Sequence, residues 1–316
     1  MLLSIVIPCF NEAEGITAFH QEITKVISVD PFDNVEVEML FIDDGSNDKT
    51  LVKLKAIAKT DTRVRYLSFS RNFGKEAAIL AGLKNAKGDF VAIMDADMQD
   101  PPTMLSTLYK AVAFSSDMSP CDIARMRRVN RKGEPALRSA FARTFYRIIN
   151  MISDIEIADG ARDYQIMNRN VVEAILSMHE YNRFFKGISS WVGFKTCWFE
   201  YENTQRFAGE SSWSFFSLAR YAIEGIVAFS TMPLVVASSA GIVCFVLALL
   251  LIAFIIARTL LFGDPVSGWP STVCVILIVG GIQLLCIGIL GQYLAKTYLE
   301  TKRRPAYFIR ESNVKS

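Results

Sequence analysis

Phe90-Val91-Ala92-Ile93-Met94-Asp95-Ala96-Asp97-Met98-Gln99-Asp100-Pro101-Pro102 reads as a buried strand that runs into a polar turn and then into a helix opened by two prolines. A short unbroken apolar run is the pattern of a strand covered on both faces, and proline in the first helical turn sacrifices no hydrogen bond. If the extended conformation persists past Met94, the residues spaced by two, Asp95, Asp97 and Gln99, point to one side. Three oxygen-bearing side chains then face one point. Such a donor set suits Mg²⁺ or Mn²⁺, which complete their shell with water and phosphate oxygens. Asp100, just before the prolines, reads as a helix N-cap.

Upstream, β-branched runs at 3–8, 37–43 and 64–69 alternate with helical patterns at 16–29, 51–58 and 77–85, and downstream a helix at 104–114 precedes a run at 122–125. This alternation predicts an α/β domain with a mostly parallel sheet covered by helices on both faces. In such sheets ligands bind beyond the carboxyl ends of the strands. Polar clusters sit at four successive strand ends: Pro8-Cys9-Phe10-Asn11-Glu12, Asp43-Asp44-Gly45-Ser46, Ser70-Arg71-Asn72-Phe73-Gly74-Lys75, and the Asp95 to Asp100 run.

The 316 residues are 51% hydrophobic, an excess concentrated after residue 221. Two apolar stretches, 234–257 and 272–294, each exceed the roughly 20 residues of helix needed to cross a hydrocarbon core. The link at 262–270 carries no Lys or Arg, whereas Lys296, Lys302, Arg303, Arg304 and Arg310 follow the second stretch, so both outer ends are expected on the cytoplasmic side. The first apolar run is only a strand's length and is followed at once by Asn11 and Glu12, unlike a secretory leader. Segments 137–152 and 213–229 are basic and apolar on one face, as interfacial helices are. A net charge of +2 with no single-sign run argues against nucleic acid as a partner. The six cysteines show no metal-type spacing and read as small apolar fillers in a reducing compartment. His20 and His179 fall in no motif and read as surface residues. No GxSxG elbow, Walker A sequence or GxGxxG turn is present, which removes the usual hydrolase, NTPase and dinucleotide readings.

Ser4-Ile5-Val6-Ile7-Pro8 with Asn11-Glu12, the Asp43-Asp44-Gly45-Ser46 run and Asp95-Ala96-Asp97 together resemble the family 2 glycosyltransferases of the GT-A fold. Arg71-Asn72-Phe73-Gly74-Lys75-Glu76-Ala77, Gln99-Asp100-Pro101-Pro102, Arg183-Phe184-Phe185-Lys186-Gly187, the Arg206 to Trp213 segment and the paired apolar stretches are similar to the polyprenyl-phosphate branch. That branch includes the bactoprenol glucosyltransferases of the O-antigen-modifying type and, more distantly, dolichyl-phosphate mannose synthase. The resemblance implies a catalytic domain over 1–212, an amphipathic juxtamembrane helix over 213–230, two transmembrane helices within 231–295 and a basic tail over 296–316. It also implies a multi-pass protein of the cytoplasmic (inner) membrane, its catalytic domain cytoplasmic, assembled as a homotetramer.

By the same resemblance Pro8, Asn11, Glu12 and Asp44 line the nucleotide pocket, with Arg71, Lys75 and Asp95 also at the donor. Asp95, Asp97 and Gln99 hold the metal-diphosphate, and Arg206 lies on a segment that closes over it. Arg128 and Arg143 meet the acceptor phosphate, with Arg125, Arg127 and Arg147 as alternatives. Asp163 is the family's catalytic carboxylate; it lies in Asp159-Gly160-Ala161-Arg162-Asp163-Tyr164, where Arg162 replaces the family's usual glycine and puts the local turn in question.

The implied reaction is inverting transfer of a hexose, glucose from UDP-glucose, to undecaprenyl phosphate. A phosphate monoester has a second pKa of about 6, so the acceptor is already an anion at neutral pH and needs no strong general base. Charge screening and stabilisation of the departing diphosphate matter more. Competing readings are the same reaction with mannose from GDP-mannose or a modified sugar, a processive synthase, and a non-catalytic scaffold or flippase component. The synthase would carry a QxxRW sequence and more spans, neither of which is present.

Overall fold

The computed structural model describes residues 1–114, 121–128, 161–181, 183–201, 232–262 and 268–314. The chain runs β1 (Leu2–Cys9), α1 (Ile16–Val26), β2 (Glu36–Asp43), α2 (Thr50–Thr60), β3 (Val64–Phe69), α3 (Lys75–Asn85), β4 (Phe90–Ile93), α4 (Met104–Ala113) and β5 (Ile123–Arg128). It continues with β6 (Ala161–Asn168), α5 (Arg169–Ser177), α6 (Phe185–Trp191), β7 (Thr196–Tyr201), α7 (Met232–Phe262), α8 (Trp269–Thr301) and β8 (Ile309–Ser312). The strands form one sheet in the order β7-β5-β6-β4-β1-β2-β3-β8. Pairing is parallel for β4-β1-β2-β3 and for β5-β7, and antiparallel where β6 joins β4 and β5 and where β8 joins β3.

Strand alternation sends Ile5, Ile7, Phe41 and Tyr164 into a core shared with α1, α2 and α4. Val6, Ile42, Ile93 and Met167 enter the opposite core, shared with α3, α5 and α6. Gly82 of α3 lets that helix close on β1, since a Cβ there would lie 2.1 Å from a Val6 methyl. With both faces covered, the functional edge is the row of loops that follow β1, β2, β3 and β4, as expected of such a sheet.

α7 and α8 are longer than the apolar stretches that announced them. Their most apolar windows, Met232–Leu251 and Ile278–Thr301, have mean hydropathies of 2.7 and 1.8 and no buried share. That is unlike the core helix of a soluble protein, and both are long and apolar enough to cross a membrane. They pack side by side, with the Cys286 thiol donating to the Ala237 carbonyl at 3.5 Å. The interfacial segments 137–152 and 213–229 lie outside the described residues.

Three expectations change. Cys121 and Cys197 are not fillers: they sit at the starts of neighbouring strands β5 and β7 with Cα atoms 5.9 Å apart and are joined as a disulfide. Their separation of 76 residues hid the pair, because adjacency comes from the sheet and not from spacing. His20 is a partner of Asp61 at 3.0 Å and keeps only 15% side-chain exposure, whereas His179 is exposed as expected. β8 lies in what reads as a basic tail and forms an edge of the eight-stranded sheet.

Candidate active site

The loops after β1 and β2 are laced together. Asn11, in the left-handed conformation at φ 55°, donates its backbone N–H to Ser46 Oγ at 2.9 Å and accepts at its side-chain oxygen from the Asn47 N–H. Asparagine is one of the few residues that tolerates that geometry. The Glu12 N–H is received by Thr50 Oγ1 and the Ala13 N–H by Asp48. Pro8 is buried at the end of β1.

Of the two adjacent aspartates, Asp43 holds its own loop, accepting from the Ser46 N–H and the Ser68 hydroxyl. Asp44, 4% exposed, reaches across to the loop after β3 and accepts from the N–H groups of Phe73 at 2.6 Å and Gly74 at 2.9 Å. Burial raises its pKa, and those two N–H donors partly offset the rise. Gly45 makes this approach possible: at φ +66° its missing Cβ would lie 2.3 Å from the Arg71 carbonyl carbon. The Arg71 guanidinium lies over the Phe73 ring at 4.0 Å.

That loop delivers Lys75, at the first turn of α3, to the centre of the site. The Lys75 ammonium lies 2.7 Å from Asp95 and 2.5 Å from Asp163, so a carboxylate from the loop after β4 and one from β6 converge on one cation. Burial pushes both carboxyls up and Lys75 pulls both back. The balance leaves Asp95 above the ordinary carboxylate range, whereas Asp163, which Lys186 and Arg162 also attract, stays below it. Burial lowers the Lys75 pKa, but Asp163 and Asp95 outweigh it and keep the lysine protonated. Glu76, beside it, accepts the Phe185 N–H at 2.8 Å and so ties α3 to the start of α6.

The aspartate motif does not continue as a strand. β4 ends at Ile93, the chain turns over Ala96 and Asp97, and Met98 has φ 55°. Asp97 closes this turn by accepting the Gln99 N–H at 3.1 Å. The Gln99 side-chain oxygen accepts from Arg162 Nη2 at 3.1 Å, so it is directed to that guanidinium and not to a point shared with Asp95. Asp100 is not an N-cap either. Thr103 occupies that position, while Asp100, 3% exposed, accepts from Arg162 Nε at 3.0 Å and from the Tyr201 hydroxyl.

Arg162, the departure from the family pattern, therefore makes no irregular turn; it is a β6 residue that gathers Gln99, Asp100 and Tyr201. Asp163 follows it and, by strand alternation, projects from the other face toward Lys75. Two consecutive residues thus serve the two ends of one polar cluster. Sequence reading missed Tyr201, and it held Glu76 and Lys186 only as members of family motifs with no role assigned; their approach to the site is made by strand pairing and helix packing, which no local pattern reveals.

Arg125, one of the alternative acceptor ligands, is 2% exposed. Its guanidinium is taken up by Gln165 at 2.6 Å, Ser189 at 2.8 Å and Ser190 at 3.1 Å, and it lies over the Trp198 ring. Burial lowers its pKa to about 10, with Asp163 opposing. Its guanidinium is a buried cation engaged by these three side chains. Arg127 is exposed on the same strand, and Arg128 ends it. Arg143, Arg147, Arg206 and the Asp159-Gly160 pair lie outside the described residues.

The family model for "Glycosyl transferase family 2" matches residues 4–176, more than half of the chain. The chain belongs to glycosyl transferase family 2. Among curated family members, the bactoprenol glucosyl transferase of Shigella phage SfV is 40% identical over 315 residues, covering 100% of both chains. The prophage bactoprenol glucosyl transferase homolog of Escherichia coli (strain K12) is 40% identical over 310 residues, covering 98% of this chain and 99% of its own. Among solved structures, glucosyl-3-phosphoglycerate synthase from Mycobacterium tuberculosis aligns with a TM-score of 0.46 at 17% identity, over 72% of this chain and 77% of that one. As a member of the family the chain is a glycosyltransferase, and its mixed, mostly parallel sheet is of the GT-A kind.

Proposed function

We propose that this glycosyltransferase moves glucose from UDP-glucose to undecaprenyl phosphate at the cytoplasmic face of a membrane, inverting the anomeric centre. The observation that carries this reading is end-to-end likeness: 40% identity to a bactoprenol glucosyl transferase extends over the whole chain, including α7 and α8. Two helices long and apolar enough to cross a bilayer would keep the catalytic domain beside a lipid-borne acceptor.

Asp95 and Asp97 offer hard oxygens at one turn, and Asp95 already meets a cation in Lys75. Among the described residues no three His, Cys, Asp or Glu side chains converge as a cage, and the Gln99 amide oxygen is directed to Arg162. Two carboxylates with the remaining shell supplied by water and donor phosphates fit Mg²⁺ or Mn²⁺. When bound, such an ion neutralises charge that develops on the departing diphosphate.

The remaining chemistry belongs to the chain. An acceptor phosphate oxygen forms the new bond to the anomeric carbon as the bond to the diphosphate breaks, and the electron pair leaves on the diphosphate oxygen. No proton need be removed, because the attacking phosphate is already ionised. Asp163, kept as an anion by Lys75, Lys186 and Arg162, is a weak proton acceptor; its role is to orient Lys75. Lys75, with Arg71 on the same loop, places positive charge where two anionic substrates must meet. Arg128 and Arg143 are assigned to the acceptor phosphate, and Arg206 to the donor diphosphate. The homotetramer belongs to the same proposal.

The test offers detergent-solubilised protein labelled UDP-glucose, other UDP-sugars and GDP-mannose, each with undecaprenyl phosphate, and separates the lipid products. Labelled glucosyl lipid is expected from UDP-glucose. Product from GDP-mannose alone overturns the sugar, and release of free sugar without a lipid product overturns the acceptor.

A further inference from the structure

The chain does not end where α8 ends. α8 stops at Thr301, and Arg303 takes the left-handed conformation at φ 47°, so the backbone turns away from the helix axis. By Ile309 it has become β8, antiparallel to β3 at the edge of the catalytic sheet. This short return passage touches the loops that form the active site.

Tyr307 stacks on Phe69, the last residue of β3, with ring centroids 4.9 Å apart and planes within 13°. The Phe308 carbonyl accepts the Ser70 N–H at 2.9 Å, and the Phe308 ring meets Phe73 at 6.2 Å. Phe69 also meets Phe73 edge to face at 5.8 Å. The loop carrying Arg71 and Lys75 is thus held from two sides, by Asp44 and Gly45 within the site and by Tyr307 and Phe308 behind it. Glu300, in the last turn of α8, accepts the Tyr181 N–H at 2.9 Å, in the segment that leads into α6 and Lys186. Elsewhere the strand is fixed by contacts that do not involve that loop: Asn313 accepts the Tyr66 N–H at 2.6 Å, and Glu311 pairs with Lys55.

We propose that the passage from Glu300 to Phe308 is a brace for the donor site, with Tyr307 and Phe308 as positioning residues that hold the Arg71–Lys75 loop in its nucleotide-binding shape. Neither residue touches a reacting atom; both act through Phe69, Ser70 and Phe73. The inference rests on the proposed reading of that loop as part of the donor pocket. It means that the segment following the second apolar helix helps to complete the active centre, although it is far from it in sequence.

The test compares full-length wild type, Tyr307→Ala, Tyr307→Phe and Asn313→Ala in detergent, measuring UDP and GDP binding by calorimetry, KM for donor and acceptor separately, and thermal stability. Tyr307→Ala should weaken binding of the nucleotide about five- to tenfold, as expected when an aromatic contact that orders a loop is lost, and leave the acceptor KM unchanged. Tyr307→Phe keeps the stacked ring and should bind as wild type does. Asn313→Ala loosens β8 without touching the loop and should lower the melting temperature while nucleotide affinity is retained. If Tyr307→Ala does not fold, Tyr307→Leu, which fills space without a planar ring, takes its place with the same expectation. Unchanged nucleotide binding in the Tyr307 variant, or a loss that simply tracks lost stability in both variants, overturns the brace. A wild type that binds GDP and not UDP overturns the donor assignment alone, and the brace is then read from GDP affinity.

Discussion

Replacing Arg162 with alanine removes the one cation bonded to Asp100 among the described residues and leaves that carboxylate, 3% exposed, with the Tyr201 hydroxyl. Removing one partner of a buried pair costs roughly 3–5 kcal/mol, because the other charge stays buried without compensation. The Arg162 side chain is 26% exposed and Asp100 only 3%, so solvent screens one end of the pair and the lower limit, about 3 kcal/mol, is expected. Against a typical total stability of about 5–15 kcal/mol, that is a large loss. The cost lies in a stranded charge, so Asp100→Asn in the Arg162→Ala background should return part of it, leaving the smaller penalty of about 1–3 kcal/mol for an underused polar group. Denaturation of wild type, both single variants and the double variant in one detergent gives the coupling as a double-mutant cycle. A coupling of about 1.5 kcal/mol or more is expected. Additive effects, with coupling below about 0.5 kcal/mol, would refute the view that this ion pair holds the turn of the aspartate motif. Arg162→Lys should not rescue, since a point charge cannot serve Asp100 and Gln99 together as a planar fork does.

Asp97→Asn keeps the turn-closing acceptor but removes the anionic charge of a proposed metal ligand; turnover should fall by at least about tenfold with little change in melting temperature, and full transfer in excess chelator would contradict it. Glu76, pushed up to about 8 by burial and by Asp163 despite its bond from Phe185, gives a pH signature. Its folded pKa exceeds the unfolded value, so its stabilising share is complete below about pH 4.5 and is lost as pH rises through about 8. Glu76→Gln should flatten that decline in melting temperature between pH 5 and 8, and an unchanged slope counts against the assignment. Lysine at Arg128 or Arg143 should impair use of undecaprenyl phosphate and spare UDP-glucose affinity, whereas Arg125→Lys should act chiefly on stability; separate KM values for donor and acceptor distinguish them. A tag placed in the 263–270 link should be cut by protease added to intact cells while one after Ser316 is protected, and the reverse pattern inverts the topology.

The first four strands were legible because each is a compact β-branched or apolar run between turn formers. The run expected at 64–69 coincides with β3, and those at 3–8 and 37–43 fall within a residue of β1 and β2. β6 was not legible. Its opening residues, Ala161, Arg162 and Asp163, read as a polar loop because their side chains serve the site edge, and only register with β4 and β5 makes them a strand. The Asp95 to Asp100 run does follow the end of β4, but the assumption that extension continues past Met94 misdirected Gln99. A single left-handed residue at Met98 changes where every later side chain points. Arg125 illustrates the opposite case: an arginine on a strand beside others reads as a ligand, and only its burial against Gln165, Ser189 and Ser190 reveals a structural role.

If α7 and α8 span a bilayer as proposed, the pairing of β8 with β3 imposes arithmetic on the chain. β3 lies before both apolar helices and β8 after them, so the sheet closes only if the chain crosses an even number of times; one crossing, or three, would strand the last strand on the wrong side. The edge of β3 is therefore a parity check on insertion, independent of any count of flanking charges. It is also a matter of timing. Asn313 reaches Tyr66 across 247 residues of sequence, and at roughly 5–20 residues per second the edge of β3 waits on the order of ten seconds or more for its partner. An unpaired edge is a template for unwanted strand addition, so a protein whose hairpin fails to insert is left with an open sheet and is marked for aggregation by its own geometry.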